Sequence, residues 1–585
     1  DGLAEKSQVS SITRLMASVN HQMEQDLIKG ELIALPVSLF IMVIVFGGVL
    51  AAGMPIIGAL ASIAAGLGSI WGLSYAMDLD SVVINVVTLL GLGLSIDYGL
   101  LIVSRFREEL RNESTRAEAD SAAEFEGAAR KDPRVIVAME RTIQSAGRTV
   151  FFSALTIAIC VAGLMAMSPS LLKGLGMAGS IVVVIALLTA ITLVPSVLVL
   201  TGRWLMRPPL LSKIPVIGKL FGQLGGVPPE RGAFSALATG VQKHPWVVMI
   251  TCIAILLIAA SPVTGIHLRN SGVDVLPEDN PERVAIENVS DNFPYFSQPD
   301  VWIVPKDRSV DFKVLYNLWE ELPKADGIAS VDRPIVTESA PGRVFFGLRL
   351  DDGIKPDSKR AVEIVEDLRS MNTWTSVYVG GQAAGQIDFA QALKSGLPTA
   401  AGLVILATFI LLFLMTGSVL VPLKALLTNV LSITATIGIV TWLFQEGHGA
   451  KLLGFESVGG LESYVVAVVI AFGFGLAMDY EVFLLARIKE YYDSGMSNDE
   501  AVVRGLQSTG RIITSAALVI IVVFAGFAAG ELLAIKEAGV ALAIAVALDA
   551  TLVRMLLVPA TMTVLGDLNW WAPRWLKPVA RRFAI

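Results

Sequence analysis

Charge is scarce in this sequence. Of its 585 residues only 17% are Asp, Glu, Lys or Arg, while 54% are hydrophobic. The mean hydropathy of +0.66 is far from that of an ordinary soluble domain. Cysteine is scarcer still. Cys160 and Cys252 each sit alone in an apolar run, as small core or lipid-facing residues, so neither a disulfide framework nor a thiolate metal site is available. The four histidines (His21, His244, His267 and His448) all lie outside the apolar runs, which excludes an imidazole relay inside a bilayer. A net charge of −7 spread along the chain is not the footprint of a nucleic-acid binder. Gly91, Gly93, Gly473 and Gly475 follow no strand and precede no P-loop lysine; they suit close helix packing rather than phosphate binding. The chain opens on Asp1, with neither an initiator Met nor a signal-peptide pattern.

What is present is a series of apolar runs, each near the roughly 20 residues needed to cross about 30 Å of hydrocarbon. Eleven are expected, at 31–53, 55–77, 82–104, 149–168, 175–201, 245–265, 396–416, 418–444, 463–486, 512–530 and 537–565. Tight breaks at Gly53-Met-Pro55 and Thr416-Gly-Ser418 imply hairpins with almost no loop. Orientation follows from basic loops. Arg105, Arg107, Arg111, Arg116, Arg130, Lys131, Arg134, Arg141 and Arg148 fall in loop 105–148, and Arg203, Arg207, Lys213, Lys219, Arg231 and Lys243 in the linker 203–244. Arg574, Lys577, Arg581 and Arg582 fall in the tail 566–585. Strict alternation puts all three on one face, the cytoplasmic one, and puts Asp78-Leu-Asp80 and the region 266–395 outside. Arg105 and Arg487 read as anchors at that cytoplasmic face.

Region 266–395 differs in kind. Strand-like runs at 301–304, 344–350 and 376–381 alternate with amphipathic segments at 310–322 and 358–371, which predicts a compact α/β domain with its own core. The Pro/Gly-rich stretch 203–232 reads as a linker, with 211–221 as a segment that could lie on the membrane surface. The Glu/Ala/Arg-rich stretch 111–130 reads as a solvated helical insert.

Two of the apolar runs carry the same motif. Gly-Leu-Ser-Ile-Asp97-Tyr98 and Gly-Leu-Ala-Met-Asp479-Tyr480 are each followed by an Arg eight positions after the Asp. Pro36 and Pro398 are 362 residues apart, the aspartates 382, and Gln144-Ser-Ala-Gly-Arg148 and Gln507-Ser-Thr-Gly-Arg511 363. The same motifs in the same order make a parallel duplication. The halves are 31–202 and 396–565, the second preceded by a span at 245–265 and the region 266–395. If the duplication is faithful, a span and an external domain would precede residue 1, residues 1–30 would end that domain, and the chain would be inactive by itself.

An aspartate in lipid costs a few kcal/mol, which makes it a functional-site candidate. A carboxyl removed from water titrates nearer neutrality, and a proton relay needs that property. Asp97, Tyr98, Asp479 and Tyr480 are the candidate relay; the competing reading is interhelical fastening. Ser153 either completes the network or bonds its own helix backbone. Glu481, some 200° around an α-helix from Asp479, serves a supporting network or plain packing. Asp549 is a secondary relay candidate or a structural residue; it and Arg554 are five apart, poor spacing for an i,i+4 pair, so each is expected to find a partner on another helix. An intramembrane aspartyl protease is excluded, because the order is Asp-Tyr both times and neither Asp follows Gly-x-Gly.

These motifs together resemble the mycobacterial-membrane-protein-large (MMPL) family of the resistance-nodulation-division (RND) superfamily. The likeness rests on Asp97-Tyr-Gly-Leu-Leu-Ile-Val-Ser-Arg-Phe-Arg-Glu-Glu109, Ala146-Gly-Arg-Thr-Val-Phe-Phe-Ser153, Asp479-Tyr-Glu-Val-Phe-Leu484 and Leu276-Pro-Glu-Asp-Asn-Pro281. Leu548-Asp-Ala-Thr-Leu-Val-Arg554 and Asn569-Trp-Trp-Ala-Pro-Arg-Trp575 extend it. It implies a polytopic α-helical membrane protein, an RND-like bundle with an internal repeat and an extracytoplasmic α/β porter domain. It also implies a secondary transporter rather than an enzyme, driven by a proton gradient without cofactor or metal. The substrate class would be an envelope lipid or glycolipid such as trehalose monomycolate, exported across the inner (plasma) membrane. A homo-oligomer or envelope accessory proteins are further expected partners, and crossed pairs are implied, Asp97 with Tyr480 and Asp479 with Tyr98. Rival readings from the same superfamily are a sterol-sensing-like receptor, a protein-translocation accessory, and export of another small hydrophobic molecule such as a siderophore or drug.

Overall fold

The computed structural model describes residues 11–46, 48–119, 132–205, 232–270, 272–293, 298–306, 312–336, 344–351, 353–354, 358–370 and 376–576. Among them, eleven helical runs are long and apolar enough to cross a bilayer. We number them in chain order: α1 Thr13–Phe46, α2 Val49–Leu73, α3 Val82–Glu113, α4 Pro133–Ala166, α5 Ser170–Gly202, α6 Pro245–Gly265, α7 Gln382–Thr416, α8 Leu420–Gln445, α9 Ser463–Asp493, α10 Asn498–Ala529 and α11 Leu533–Trp570. The 211–221 segment lies outside the described residues, as do most of the 111–130 insert and the last residues of the tail.

Burial separates these helices into two kinds. The most apolar windows of α3 and α9 are 100% and 89% buried, against 22% for α1 and α7 and 11% for α6. The two helices with the Asp-Tyr motif are therefore the centre of the bundle. The others turn residues such as Leu32, Phe40, Ile250, Ile258, Leu403 and Leu427 outward, as a lipid-facing shell does. Glycines let the centre close. A Cβ on Gly475 would stand 3.3 Å from Ile157 Cα, and one on Gly93 3.3 Å from the Phe524 ring. In this way α9 seats on α4 of the first half and α3 on α10 of the second, so the halves cross-pack.

Two expected boundaries move. The break placed at Gly53-Met-Pro55 lies inside α2; the chain instead turns at Gly48, which is extended (φ −165°, ψ 140°). Pro55 is tolerated within the helix because Gly99 leaves its ring room: a Cβ there would meet Pro55 Cα at 2.8 Å. Nor does the chain change character at residue 30. Helix α1 is continuous through it, so residues 12–30 are helical and run straight into the span, as residues 382–395 do at the start of α7. Residues 12–30 reach the end of the bundle that carries region 266–395: Arg14 pairs with Glu282 at 2.6 Å, and Asn280 Nδ2 donates to Ser18 Oγ at 3.2 Å.

Region 266–395 supplies a separate core. Strands β2 (Val301–Pro305), β3 (Ile328–Val331), β4 (Ile335–Val336), β5 (Val344–Leu350) and β6 (Val377–Gly381) form a sheet ordered β3-β5-β2-β6, with β4 pairing β5. All pairs are antiparallel, Ile303 facing both Phe346 and Val379. Helices Phe312–Glu321 and Lys359–Ser370 pack Leu318, Ile364 and Val365 onto Val301, Ile303 and Phe346. With the two-residue β4 set aside as an addition at the β5 edge, the order β-α-β-β-α-β is the split βαβ of ferredoxin-like domains. A two-residue parallel pair, β1 (Leu268–Arg269) with β7 (Leu461–Glu462), stitches the domain's entry strand to the start of α9.

Candidate functional site

Asp97 lies 15 residues into α3 and Asp479 16 residues into α9, about 22–24 Å along each helix at 1.5 Å per residue. Both are 1% exposed. Tyr480 Oη donates to Asp97 Oδ1 at 2.9 Å, joining α9 to α3 across the two halves. The reciprocal bond is not made. Tyr98 Oη and both carboxylate oxygens of Asp479 have no hydrogen-bond partner in the protein, although Asp479 lies within electrostatic reach of Tyr98. Of the two crossed pairs implied by resemblance, one is formed and the other is open. Ser153 on α4 is fully buried beside Tyr98 and Asp479, yet its hydroxyl completes no hydrogen bond to either, nor to its own helix backbone.

The residue the sequence reading left out of the site is Arg554. It is 1% exposed, and its Nε contacts Asp549 Oδ2 at 2.5 Å. The two were expected to look elsewhere because five residues do not span one α-turn. Asp549–Leu557 is a π-helix, whose i→i+5 ladder brings positions five apart onto one face. The π-segment ends one residue ahead of Pro559, whose missing N–H and ring disturb the ladder. From that turn Arg554 also donates to the Ala477 carbonyl on α9 and holds its guanidinium 5.1 Å from the Tyr480 ring centroid, a cation–π distance. It lies within reach of both aspartates.

Glu481 does face away from Asp479, toward another charge. It is buried near Lys424 of α8, Arg554 and Asp549. Lys424 Nζ and Glu481 Oε1 have no hydrogen-bond partner. The layer thus holds four carboxyls (Asp97, Asp479, Glu481, Asp549) and two cations (Lys424, Arg554). Out of water, such an excess of one sign is costly unless it is neutralised. Unpartnered polar atoms gather in the same layer, on Ser95, Asp97, Tyr98, Ser153, Asp479, Glu481, Asp549 and Lys424, where buried polar groups are ordinarily satisfied. Arg105 and Arg487 stay at the basic end, paired locally with Glu108 and Glu109 and with Glu490. No group of three or more His, Cys, Asp or Glu side chains suited to a metal exists among the described residues.

A second feature opens at the other end. Where the α/β domain meets the bundle, a cavity of about 1610 Å³ is lined by Arg269, Arg283, Gln382, Lys451, Glu456 and Val458, among others. At its mouth Glu278 shares a hydrogen bond with Glu456, whose charge also holds the Glu278 carboxyl above the usual range.

The duplicated Asp-Tyr geometry and the spans around it have close counterparts. A profile of the MMPL family matches residues 6–214 and 346–583. The chain belongs to the MMPL family. A membrane protein of Streptomyces coelicolor is 37% identical over 99% of this chain and 76% of its own length. The trehalose monomycolate exporter MmpL3 of Mycobacterium tuberculosis is 33% identical over 95% of this chain and 60% of its own. The mycolic acid-containing lipids exporter MmpL11 of Mycolicibacterium smegmatis is 28% identical over 97% and 57%. The chain therefore spans about 60% of the length of those exporters. Among solved structures, SecDF of Thermus thermophilus, a translocon-associated membrane protein, superposes with a TM-score of 0.52 at 16% identity, covering 92% of this chain and 62% of that one. That likeness is of fold alone. Within this MMPL chain, the match to residues 6–214 and 346–583 takes in both Asp-Tyr helices and the Asp549–Arg554 turn.

Proposed function

We propose that the protein is a proton-driven exporter of a lipid or glycolipid, working in the plasma membrane with region 266–395 outside. The observation that carries this is the buried layer in which Tyr480 of one half holds Asp97 of the other, beside an open Asp479 and an excess of carboxyls over cations. A layer of this kind takes up and releases protons, and doing so makes or breaks a contact between the two halves. Proton binding is thereby tied to their relative position, which an alternating-access carrier needs. Lipid as cargo is supported by the relatives, two of which are named lipid exporters, and by the cavity between the α/β domain and the bundle. The basic loops at the opposite end support the orientation.

The decisive substitutions are Asp97→Asn and Asp479→Asn, which keep volume and hydrogen bonding but cannot ionise. Each should insert and fold normally and lose lipid export, measured as transfer of labelled lipid to the outer leaflet in cells whose protein carries the substitution. Export at the wild-type rate by either variant would remove the reading. Mass spectrometry of co-purified lipid identifies the cargo.

A further inference from the structure

The mid-membrane layer is not the only place where acids are packed without enough cations. Where the β1–β7 pair stitches the α/β domain to the bundle, Glu462 at the mouth of α9 and Glu537 on α11 are buried together, 2% and 0% exposed. The Glu462 backbone N–H donates to Glu537 Oε2 at 3.1 Å, while Glu537 Oε1 has no hydrogen-bond partner in the protein. The two carboxyls stand within electrostatic reach of each other and of Arg269, and Arg269 also forms an ion pair with Asp274. Three carboxyls therefore share one buried guanidinium.

His267, whose ring lies beside Gly460, is a further titratable side chain at this joint. Tyr464 on α9 adds no charge, and Asp80 at the start of α3, which lies near Tyr464, adds another acid. The Lys536 ammonium on α11 is turned to the carbonyls of Leu453 and Gly454, with Asp26 and Glu531 as its own acidic neighbours. In the first half the same place is bare. Aligning Asp80-Ser81 with Glu462-Ser463 and Lys173 with Lys536 puts Gly174 opposite Glu537, and Asp80 is exposed where Glu462 is buried.

We propose that the Glu462–Glu537 pair is a second proton-binding site, set in the joint between the α/β domain and the two helices that carry Asp479 and Arg554. A proton taken up from water on Glu537 Oε1 makes that carboxyl a donor toward Glu462 and leaves one negative charge on the pair. Its release restores two like charges side by side in a dry place, and their repulsion loosens the joint. The contacts affected are the Leu461 amide on the His267 carbonyl (2.8 Å) and the Ser463 hydroxyl on the Arg269 carbonyl (2.9 Å). The part this plays in transport rests on the proton-driven reading above; the proton site and the joint do not.

The test is amide hydrogen exchange of the whole chain in lipid nanodiscs across the carboxylate-to-neutral pH range, each rate corrected for its intrinsic pH dependence. In the wild type, protection of the peptide containing Leu461 should fall as pH rises, by up to about tenfold per pH unit, the limit for one linked proton. Peptides from the α/β-domain helix Phe312–Glu321, away from the joint, should not change. Glu537→Gln should hold the joint protected at all pH values, and Glu462→Gln should do the same by removing the repulsion from the other side. Protection of the Leu461 peptide that is independent of pH in the wild type, or that keeps its pH dependence in both variants, overturns the proposal. Because exchange is read without lipid transport, a failure of the export reading would leave this result standing.

Discussion

In the first half, Asp97-Tyr98 is followed by Gly99; in the second, Asp479-Tyr480 is followed by Glu481. The same contrast recurs at two other places where the repeat is laid on itself. Aligning Ser62-Ile63 with Ser432-Ile433 puts Met54 opposite Lys424. Aligning Leu193-Val194-Pro195 with Leu557-Val558-Pro559 puts Ile185 opposite Asp549 and Ala190 opposite Arg554. The backbone keeps the duplication more faithfully than the side chains do, since π-turns at Thr189–Leu193 and Asp549–Leu557 precede both prolines. The first half thus presents an apolar, sterically matched surface, with Gly99 against Pro55. The second carries both cations of the layer and two additional acids. Among the described residues, the hydrogen bond and the cation that reach Asp97 come from Tyr480 and Arg554 of the other half. The difference teaches that the site is one asymmetric centre shared by two halves, rather than two equal copies.

The hardest test of that asymmetry is to erase it. Arg554→Ala leaves Asp549 buried without its partner and should cost about 3–5 kcal/mol of stability, seen as a fall in melting temperature in detergent, together with loss of export. Adding Asp549→Ile reproduces the residues of the first half, Ile and Ala. That double variant should regain most of the stability, because a buried pair replaced as a unit is often neutral, while export stays lost. A double variant that transports would show the second-half charges to be structural only.

Much of this centre was legible in the sequence, and the missing part has one cause. The eleven spans, the buried placement of Asp97 and Asp479 and the α/β strands follow from hydropathy and period, which depend on each residue's own chemistry. Arg554 was set aside because its distance from Asp549 was read on an α-helical wheel, and no sequence signal other than the nearby proline points to a π-turn. Lys424 was hidden in an apolar run where one Lys does not break the hydropathy. The start of α2 was misplaced because Pro55 looks like a breaker until Gly99, 44 residues later, is seen to make room for it. Each miss concerns a contact between distant segments or a local change of helical period.

A medium effect is expected where the first half is packed rather than charged. Gly99→Ala puts a Cβ 2.8 Å from Pro55 Cα, a backbone atom that cannot swing aside, so α2 and α3 must part. Overpacking of this kind costs about 1–3 kcal/mol. Glu481→Ala at the matching place removes an acid and meets no such wall. If Gly99→Ala leaves the melting temperature unchanged, the steric half of the comparison fails.

The smallest expected effect separates the two tyrosines. Tyr480→Phe deletes the 2.9 Å bond to Asp97 and should cost about 0.5–1.5 kcal/mol, the net worth of an ordinary hydrogen bond. Tyr98→Phe deletes a hydroxyl that bonds nothing in this state, so its stability should match the wild type within a few tenths of a kcal/mol. Export should nevertheless slow in both if the carrier passes through a second state in which Tyr98 meets Asp479 and Tyr480 lets go of Asp97. Stability and export measured on the same two variants therefore distinguish a resting asymmetry from a permanent one. If Tyr98→Phe alters neither, Tyr98 never meets Asp479, and the crossing of the pairs is one-sided throughout the cycle.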